Sequence, residues 1–258
     1  MPQAVALERR LSACSHVRTL GVKPNLEDYA AEELDLIRAS GKIYYPSAFY
    51  ADLFSAGGKA IFPSVHTYRY AQDKVRQTAL FKLLALPHPR TRVYYGRRQQ
   101  RRIREDFAYP FVAKVARGSA LGRGVYLIRD RAELEAYLSA NRVAYVQAYL
   151  PIDRDLRVVI IGERAVHAYW RVASEGEFRT NVSAGGRIRL DPVPEAALEL
   201  ALAAARRCGW NDVGLDICRH AGRWYLLEAN MKYGKAGFRA AGMDYYHLMD
   251  RWNANGTI

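Results

Sequence analysis

Three side chains with oxygen donors lie close together in the last quarter of the sequence. Asp216 lies in the apolar segment 213–218, and Glu228 and Asn230 lie within or directly after the apolar segment 224–229. A turn between the two segments predicts a β-hairpin. Because side chains alternate between the faces of a strand, Glu228 and Asn230 share a face, and antiparallel pairing can bring Asp216 beside them. The sequence therefore predicts three converging oxygen-bearing side chains.

This donor set is suited to a divalent metal ion. A carboxylate in an apolar strand is costly unless a cation accompanies it. All-oxygen ligand sets with few carboxylates are typical of Mg²⁺ that bridges phosphate groups. We therefore predict a metal site formed by Asp216, Glu228 and Asn230. The alternative is that one of the two carboxylates caps a strand or pairs with an arginine.

A glycine-rich loop between two predicted strands, 109–115 and 125–128, is a second candidate for phosphate chemistry. The backbone N–H groups of such a loop can surround a phosphate. Lys114 lies in the apolar strand just before the loop, poorly placed for solvent and well placed for a phosphate oxygen. The loop is not a Walker sequence, and a plain turn is the alternative. The candidate loop residues are Gly118, Ser119, Gly122 and Gly124.

Two arginines accompany a second predicted hairpin, formed by the apolar segments 155–161 and 164–171. Arg157 and Arg171 lie near its two open ends, so both can reach one site. Surface salt bridges are the alternative for both arginines. His167 lies in the same hairpin, and we interpret it as a sheet residue rather than a general base.

A polar segment follows this hairpin at residues 178–181 and is predicted to be a strand. Arg179 and Asn181 would add a further cation and an amide donor to the same region. Gly185 and Gly186 come shortly afterwards. Residues 195–207 are alanine-rich with a helical period and predict a helix that ends at Gly209.

The order of elements predicts an α+β protein with an α/β N-terminal part. Short strands at 17–22, 42–45 and 60–62 alternate with helices at 26–39 and 47–55, which is typical of a small parallel unit. A helix at 68–85 then leads out of this unit. The predicted division is an N-terminal domain 1–67, a linking segment 68–108, a central domain 109–150 and a C-terminal domain 151–258.

The composition restricts the class of protein and of partner. The chain has 258 residues, 39 Lys and Arg against 26 Asp and Glu, and a net charge of +13, which favours an anionic partner such as a nucleotide, a nucleic acid, an acidic peptide or a carboxylate metabolite. The three cysteines, Cys14, Cys208 and Cys218, lack metal-ligand spacing and are expected to be buried thiols in a reducing compartment. With no secretory or membrane-spanning pattern recognised, we expect the cytoplasm.

The densest basic run is RRQQRRIR at residues 97–104. Runs of like charge commonly mark exposed helix faces or interaction arms. We interpret this run as a solvated helix face. Contact with nucleic acid is the alternative, although the run has no interleaved aromatic residues for base stacking.

The order of these signals resembles the ATP-grasp superfamily, and within it the RimK-like group of ribosomal-protein glutamate ligases and related amino-acid ligases. The resemblance covers about residues 68–243. Its most specific pieces are DLRVVIIG, EFRTNVSAGG and GLDIC followed by LLEAN. It implies an ATP-grasp fold in which the nucleotide is held between a central lid domain and a C-terminal antiparallel sheet domain.

The resemblance also implies roles for individual residues. Lys74 and Lys114 match the lysines that hold ATP phosphates, and the glycine loop matches the mobile cover over them. Gln147, Ala148 and Tyr149 match the strand end that pairs with adenine, and Asp155 lies where a nucleotide contact is expected. The positions that match phosphate and carboxylate contacts are Arg171, Arg179 and Asn181, with Arg157 beside them; those that match Mg²⁺ ligands are Asp216, Glu228 and Asn230.

The implied reaction is ATP-dependent ligation of a carboxylate to an amine through an acyl phosphate, with two Mg²⁺ ions (Mn²⁺ being the alternative) and release of ADP and phosphate. The substrates would be an amino acid, a peptide or a protein terminus.

Two departures from the family pattern concern the substrate pocket: residues 231–235 replace a Ser-Pro-Gly-like turn, and the N-terminal unit is short. Alanine at position 148 replaces an acidic residue. The alternatives are a small-molecule kinase and a nucleotide-regulated protein that binds RNA or an acidic partner. Self-association is a further expectation.

Overall fold

The computed structural model describes residues 4–71, 73–116 and 124–258. Within these ranges the chain forms helices and three separate β-sheets. One sheet is parallel and two are antiparallel. The predicted α+β class with an α/β N-terminal part is therefore confirmed.

The N-terminal sheet has four parallel strands in the order β2-β1-β3-β4. The strands are β1 (Ala4–Ala6), β2 (Val17–Thr19), β3 (Lys42–Tyr44) and β4 (Ala60–Phe62), and the two helices are α1 (Ala31–Ala39) and α2 (Ser47–Ala56). Val5 and Ile43 are fully buried, as expected for parallel strands that pack on both faces. The predicted helix over residues 26–39 is wrong in one respect, because a 3₁₀ turn at Leu26–Asp28 precedes α1.

The predicted helix over residues 68–85 is also wrong in its bounds, because two helices occupy this region. Helix α3 (Val65–Tyr70) ends before Ala71, and α4 (Lys74–Leu83) begins after Asp73. The Asp73 carboxylate accepts hydrogen bonds from the amides of Val75 and Arg76, each at 3.0 Å, which is the pattern of a helix N-cap. This N-cap fixes the start of α4 and therefore the position of Lys74, its first residue.

The central sheet has four antiparallel strands in the order β5-β8-β6-β7. The strands are β5 (Thr91–Tyr95), β6 (Phe111–Val115), β7 (Val125–Ile128) and β8 (Val143–Ala148), with α7 (Arg131–Ala140) between β7 and β8. Helices α5 (Gly96–Gln100) and α6 (Ile103–Asp106) follow β5. Strand β5 thus belongs to this sheet, although the predicted boundaries place it in the linking segment. The boundaries themselves stay predictions.

The C-terminal sheet has five antiparallel strands in the order β11-β10-β9-β12-β13. The strands are β9 (Arg154–Ile161), β10 (Arg164–Val172), β11 (Arg187–Arg189), β12 (Asp212–His220) and β13 (Arg223–Asn230). The helices of this part are α8 (Glu195–Cys208), α9 (Ala236–Ala240) and α10 (Tyr245–Ala254). Both predicted hairpins are present. The predicted strand at residues 178–181 is wrong, because this segment is a loop that leads into a 3₁₀ turn at Val182–Ala184.

The two faces of the C-terminal sheet have different partners. Leu156, Val158 and Ile160 of β9 pack against the alanines of α8, and each fully buried side chain of this kind contributes about 1.5–3 kcal/mol. Val159 and Ile161 lie on the opposite face and pack against residues of the N-terminal part. Asp155 and Arg157 share that second face, so neither side chain packs against α8.

All three cysteines are buried and unpaired, as predicted. In the part of the chain that the structure describes, no helix combines the length and apolar character needed to cross a membrane.

Close packing of α9 against β10 yields a prediction about stability. A Cβ atom at Gly237 would lie 2.1 Å from Cε1 of Tyr169. We expect Gly237→Ala to lower the free energy of unfolding by about 1–3 kcal/mol, because the ring must shift. Urea denaturation measures the change. Gly41→Ala is the control, since a Cβ there meets nothing within 4 Å; equal losses in the two variants would contradict the packing at Gly237.

Candidate functional site

A cleft lies between the central sheet and the C-terminal sheet. Its walls come from strands β6, β7 and β8 on one side and from β9, β10, β12 and β13 on the other. The loop at residues 178–181 closes a third side. The predicted site residues that line the cleft are Lys114, Gln147, Ala148, Tyr149, Asp155, Arg171, Arg179, Asn181, Asp216 and Glu228.

Asp216 lies at the centre of the C-terminal half of the cleft. It stands directly opposite Glu228 on β13 and opposite Arg157 on β9. Arg157 donates to both carboxylate oxygens of Asp216, and its Nη2–Oδ2 distance is 2.9 Å. Arg171 approaches from β10, with its Nη2 also 2.9 Å from Oδ2 of Asp216. The prediction that Arg157 and Arg171 reach one site is therefore confirmed, and neither forms a surface salt bridge.

Asp155 completes this cluster on the far side of Arg171. The two residues are paired directly across β9 and β10, and Nε of Arg171 donates to Oδ1 of Asp155 at 2.7 Å. Two guanidinium groups thus alternate with two carboxylates, and the side chains of all four are at most 8% exposed. Such a group of buried charges is tolerated because each charge is paired and hydrogen-bonded.

The cluster determines the charge state of its members. Burial by itself would raise the pKa of the Asp216 carboxyl, but the guanidinium groups of Arg157 and Arg171 outweigh burial and hold that pKa below its ordinary value. Burial opposes the charge of Arg171 as well. The carboxylates of Asp155 and Asp216 outweigh that effect, and the pKa of Arg171 is raised. Asp216 and Arg171 are therefore charged at neutral pH.

Glu228 faces the cleft through an irregularity in β13. The pairing of β12 with β13 shifts between Asp216 and Ile217, so that Ile217 pairs with Leu226 and Leu227 is the extra residue. Bulges of this kind redirect side chains. Leu227 and Glu228 both line the cleft as a result. Glu228 Oε1 lies 3.0 Å from Nζ of Lys74 at the start of α4.

The donor chemistry of this region fits a hard divalent cation. Asp216 and Glu228 offer carboxylate oxygens from directly paired positions, and Asn230 lies two residues beyond Glu228 on the same strand. Among the described residues, no group of three or more His, Cys, Asp or Glu side chains is placed to hold a metal ion. The predicted set differs from such a group because its third member is an amide. Asp216 is engaged by two arginines, so the alternative of an arginine partner holds for this carboxylate.

Lys114 lies on the opposite wall, near the end of β6. Its side chain is buried, and Nζ lies 5.8 Å from the centre of the Tyr145 ring. Burial lowers the pKa of Lys114, the carboxylate of Glu228 opposes this change, and the ammonium of Lys74 adds to it. A buried cation that faces Glu228 and Asp216 across the cleft favours binding of a further anionic group.

The end of strand β8 forms the other part of this wall. Gln147 is buried, and its side-chain amide donates to Oγ1 of Thr91 at 2.9 Å. The backbone N–H of Ala148 donates to the carbonyl of Arg90 at 2.8 Å. Any contact with a nucleotide base at this strand end would therefore use other backbone groups of the segment that continues to Tyr149.

The loop at residues 178–181 places a further ion pair at the cleft. Arg179 Nη2 lies 2.6 Å from Glu177 Oε2, and the Arg179 hydrogen bond lowers the pKa of Glu177 to about 2. A Cβ atom at Gly186 would lie 2.2 Å from the carbonyl oxygen of Thr180, so only glycine allows this turn to fold back. The turn brings Asn181 to the cleft.

Several predicted residues lie elsewhere. Gly118, Ser119 and Gly122 fall outside the described residues. Gly124 closes the base of their loop, where its carbonyl accepts a hydrogen bond from Val115 at 2.7 Å. Arg157, Lys74 and Asn230 are near the cleft without lining it. The run at residues 97–104 lies mostly on the exposed surface of α5, α6 and the turn between them, and His167 lies in β10, as expected.

Sequence reasoning did not identify the apolar lining of the cleft. Leu150, Ile152, Phe178 and Leu227 contribute to it. Isolated apolar residues in loops carry no recognisable signal, and the bulge at Leu227 depends on pairing with β12. The acidic partner Glu177 was also missed, although its separation of two residues from Arg179 is visible in the sequence.

Comparison with a family model places this geometry in context. A model described as the RimK-like ATP-grasp domain matches residues 71–252. This range includes the central and C-terminal sheets and every described residue of the cleft.

Several curated proteins have similar sequences. One is the ribosomal protein bS6–L-glutamate ligase of Escherichia fergusonii, 33% identical over 150 residues, which cover 55% of this chain and 50% of the relative. Another is beta-citrylglutamate synthase B of Danio rerio, 32% identical over 169 residues, or 62% of this chain and 42% of the relative. The chain spans about half the length of the curated relatives it matches.

Solved structures share the fold over nearly the whole chain. A RimK domain protein of the ATP-grasp type from Sphaerobacter thermophilus has a TM-score of 0.72 at 16% identity and covers 97% of this chain and 98% of its own. The ATP-grasp ligase PsnB, solved with a minimal precursor, Mg and ADP, has a TM-score of 0.71 at 17% identity and covers 100% of this chain and 99% of its own. The predicted ATP-grasp fold is thus confirmed.

The buried cluster yields a prediction about stability. We expect Asp216→Ala to lower the free energy of unfolding at pH 7 by about 3–5 kcal/mol, because two buried guanidinium groups lose a partner. Because the pKa of Asp216 is lower in the folded chain than the unfolded value of about 3.9, the loss should persist down to about pH 4 and shrink below it. Urea denaturation at several pH values measures it.

The control is Asp52→Ala, which breaks the surface pair of Asp52 with Arg69. This pair is about half exposed, and its loss should change stability by at most about 1 kcal/mol. A result in which both variants lose the same small amount would contradict the cluster.

Proposed function

This chain belongs to the RimK-like ATP-grasp family, and on that premise we propose that it is an ATP-dependent ligase that joins a carboxylate to an amine. The observation that carries the proposal is the cleft between the two antiparallel sheets. One wall presents the buried cation Lys114, and the other presents Asp216 and Glu228 from paired positions on one hairpin. Phosphoryl transfer depends mainly on such positioning and charge neutralisation.

The proposed reaction has two steps. In the first, an oxygen of the substrate carboxylate forms a bond to the γ-phosphorus of ATP while the bond from that phosphorus to ADP breaks. In the second, the amine nitrogen attacks the acyl carbon, the carbon–oxygen bond to phosphate breaks, and the nitrogen loses a proton. The products are an amide, ADP and phosphate. Neither step needs a Ser, Cys or His nucleophile.

The residues of the cleft would divide this work between them. Lys114 and Lys74 would bind the phosphates of ATP, together with the loop that contains Gly118, Ser119, Gly122 and Gly124. Arg171 and Arg179, with Asn181, would hold the transferred phosphate and the reacting carboxylate. Arg157 lies beneath the cleft and pairs with Asp216, so we assign it a positioning role. Gln147, Ala148, Tyr149 and Asp155 would surround the nucleoside.

The metal ligands would be Asp216, Glu228 and Asn230. One or two Mg²⁺ ions, or Mn²⁺, would neutralise phosphate charge when bound there. Without a metal ion, Lys74 neutralises Glu228, and two arginines neutralise Asp216. When Glu228 binds a metal ion instead of Lys74, the ammonium group of Lys74 would contact a phosphate oxygen.

The substrates that we propose are amino acids or short peptides. The names of the relatives refer to attachment of L-glutamate to a ribosomal protein and to synthesis of beta-citrylglutamate. The net charge of +13 favours anionic ligands. It therefore supports a glutamate-like amine as one substrate and a carboxylate as the other. The three unpaired thiols support the cytoplasm as the compartment.

The deciding experiment is product analysis by mass spectrometry after incubation with Mg-ATP, L-glutamate and a panel of carboxylates and peptides. The proposal predicts ADP, phosphate and an adduct that is lighter than its two reactants by one water. A phosphorylated product that persists would instead identify a kinase. Absence of ADP with every member of the panel would favour a nucleotide-regulated binding protein.

Substitution of the proposed metal ligand is the first prediction from this function. Glu228→Gln keeps the shape of the side chain and removes its charge, so we expect ADP release to fall below about 1% of wild type. The melting temperature should change little, because the side-chain amide still offers Lys74 an oxygen acceptor. Glu163→Gln, in the exposed turn between β9 and β10, is the control and should retain full activity. Turnover by Glu228→Gln at the wild-type rate would exclude Glu228 as a metal ligand.

Substitution of the buried lysine is the second prediction from the proposed function. We expect Lys114→Met to weaken binding of a non-hydrolysable ATP analogue about 10-fold or more, since a hydrogen bond to a charged group contributes about 1.5–3 kcal/mol. Calorimetric titration measures the affinity. The control is Lys59→Met, because Nζ of Lys59 donates to the carbonyls of Arg38 and Ser40 in the N-terminal part and does not line the cleft. Unchanged affinity in Lys114→Met would exclude a phosphate contact.

A further inference from the structure

A side chain of helix α4 holds the outer edge of strand β13. This strand lies at the edge of the C-terminal sheet, and among the described strands it pairs only with β12. Oε1 of Gln77 accepts a hydrogen bond from the N–H of Ala229 at 2.9 Å, and Nε2 of Gln77 donates to the carbonyl of the same residue at 2.7 Å. At Ala229 the Gln77 amide thus makes the two hydrogen bonds that a neighbouring strand would make.

Both residues of this contact are buried. Gln77 is 2% exposed, and Ala229 is fully buried. Without the amide of Gln77, the N–H and the carbonyl of Ala229 would lie in the interior without these partners, which is costly for backbone polar groups. Position 77 therefore requires an amide, and an apolar side chain of similar size would not replace it.

A second hydrogen bond holds the same edge of β13 three residues earlier. The N–H of Leu226 donates to the carbonyl of Pro87, in the segment between α4 and β5, at 2.8 Å. In a regular antiparallel strand, the backbone groups of successive residues point alternately to the two sides, so residues 226 and 229 would point to opposite sides. The extra residue Leu227 in the bulge brings them to the same side. The two contacts therefore fit only the bulged form of β13.

The bulged form is also the one that directs Glu228 to the cleft. With the bulge, Glu228 stands opposite Asp216 and lines the cleft. Because a shift of one residue turns each side chain to the other face of a sheet, the form without the bulge would differ. Glu228 would then stand opposite Leu215, which packs in the same apolar cluster as the alanines of α8.

Helix α4 brings a second residue to the same segment of β13. Lys74 precedes Gln77 by three positions, so the two side chains lie on one face of the helix. Nζ of Lys74 lies 3.0 Å from Oε1 of Glu228. The helix thus contacts the charge of Glu228 through Lys74 and the adjacent backbone through Gln77. If a metal ion took the place of Lys74 at Glu228, the contact between Gln77 and Ala229 would remain.

We propose that Gln77 is a positioning residue of the metal site. It holds β13 in the bulged form and thereby fixes Glu228 and Asn230, on either side of Ala229, for the divalent metal ion that accompanies ATP. Gln77 does not line the cleft and acts through the backbone of Ala229. The role at the metal ion rests on the proposed ligase function, whereas the effect on β13 rests on the hydrogen bonds alone.

Nucleotide affinity with and without metal tests the role at the metal ion. A non-hydrolysable ATP analogue is titrated calorimetrically into the full chain in Mg²⁺ and in EDTA, and the ratio of the two affinities measures the contribution of the metal ion. Gln77→Met keeps the length of the side chain and removes both hydrogen bonds. We expect this variant to lower the ratio about 10-fold or more, which is typical for loss of a residue that orients metal ligands. Its affinity in EDTA should equal that of wild type.

Gln100→Met is the matched control. Gln100 is 8% exposed, and its amide also donates to backbone carbonyls, those of Asn141 and Arg142 at 3.1 and 3.2 Å, but none of the three residues lines the cleft. Both variants should lower the melting temperature, since each removes hydrogen bonds to buried or half-buried backbone groups. Only Gln77→Met should change the affinity ratio. If Gln77→Met does not fold, Gln77→Asn, which keeps the amide but is one methylene shorter, carries the test.

Hydrogen exchange of the ligand-free chain tests the effect on β13 independently of the function. We expect the amides of residues 226–230 to exchange faster in Gln77→Met than in wild type, because the edge of the strand opens more often. Exchange in this segment should be unchanged in Gln100→Met. Mass spectrometry of peptides from the exchanged protein measures both.

The outcomes separate this inference from the proposed function. Equal exchange of residues 226–230 in Gln77→Met and wild type, or equal affinity ratios in the two, would overturn the inference; with ADP and adduct formation by wild type, the proposed function would stand. A wild-type chain that binds the analogue equally in Mg²⁺ and in EDTA and forms no ADP would contradict the proposed function. That result would also overturn the role of Gln77 at a metal ion, even with faster exchange of β13 in the variant.

Discussion

The structure of the cleft depends on the alternation of two guanidinium groups and two carboxylates across strands β9, β10 and β12. None of these four charges could be buried alone, because the cost of removing an ion from water is several kcal/mol. Each is tolerated because its partner lies directly across the sheet, as Arg171 does from Asp155 and Arg157 from Asp216. A slip of one residue in any of the three strands would turn these charges towards α8, so the cluster also specifies the register.

The same register explains how the domains meet. While one face of β9 buries Leu156, Val158 and Ile160 against α8, the other face changes along its length from charged residues to Val159 and Ile161. The apolar end of this face packs against the N-terminal part, and the charged end lies at the cleft. Gly214 lies between these regions, where a Cβ would come within 2.5 Å of Tyr233 Cβ. Its missing side chain lets Tyr233 connect the buried Asp212 with Arg157.

Much of this arrangement could be predicted from sequence because its signals are local. Alternation within two apolar segments indicated that Asp216 and Glu228 pair on one hairpin, and the position of Lys114 before a glycine-rich loop indicated a buried cation. Errors arose where a short-range competitor acts, as when the carboxylate of Asp73 begins a new helix inside a helical pattern. Long-range contacts, such as Arg10 with Asp212, leave no periodic signal. The loop at residues 178–181 contains Phe178 and Thr180, whose types favour strands, but it pairs with no strand of the described residues.

The balance of charge bears on the order in which ligands could enter the cleft. Among the described residues of the cleft and its surroundings, five cations (Lys74, Lys114, Arg157, Arg171 and Arg179) accompany four carboxylates (Asp155, Glu177, Asp216 and Glu228), a net charge of one positive unit. A free divalent cation would meet repulsion there and would have to displace Lys74 or a guanidinium group from its partner. A polyphosphate attracts those same cations and releases the carboxylates. If the proposed function is correct, metal and nucleotide would therefore bind together as a complex, and Lys74 and Arg171 would exchange carboxylate partners for phosphate oxygens as the complex enters.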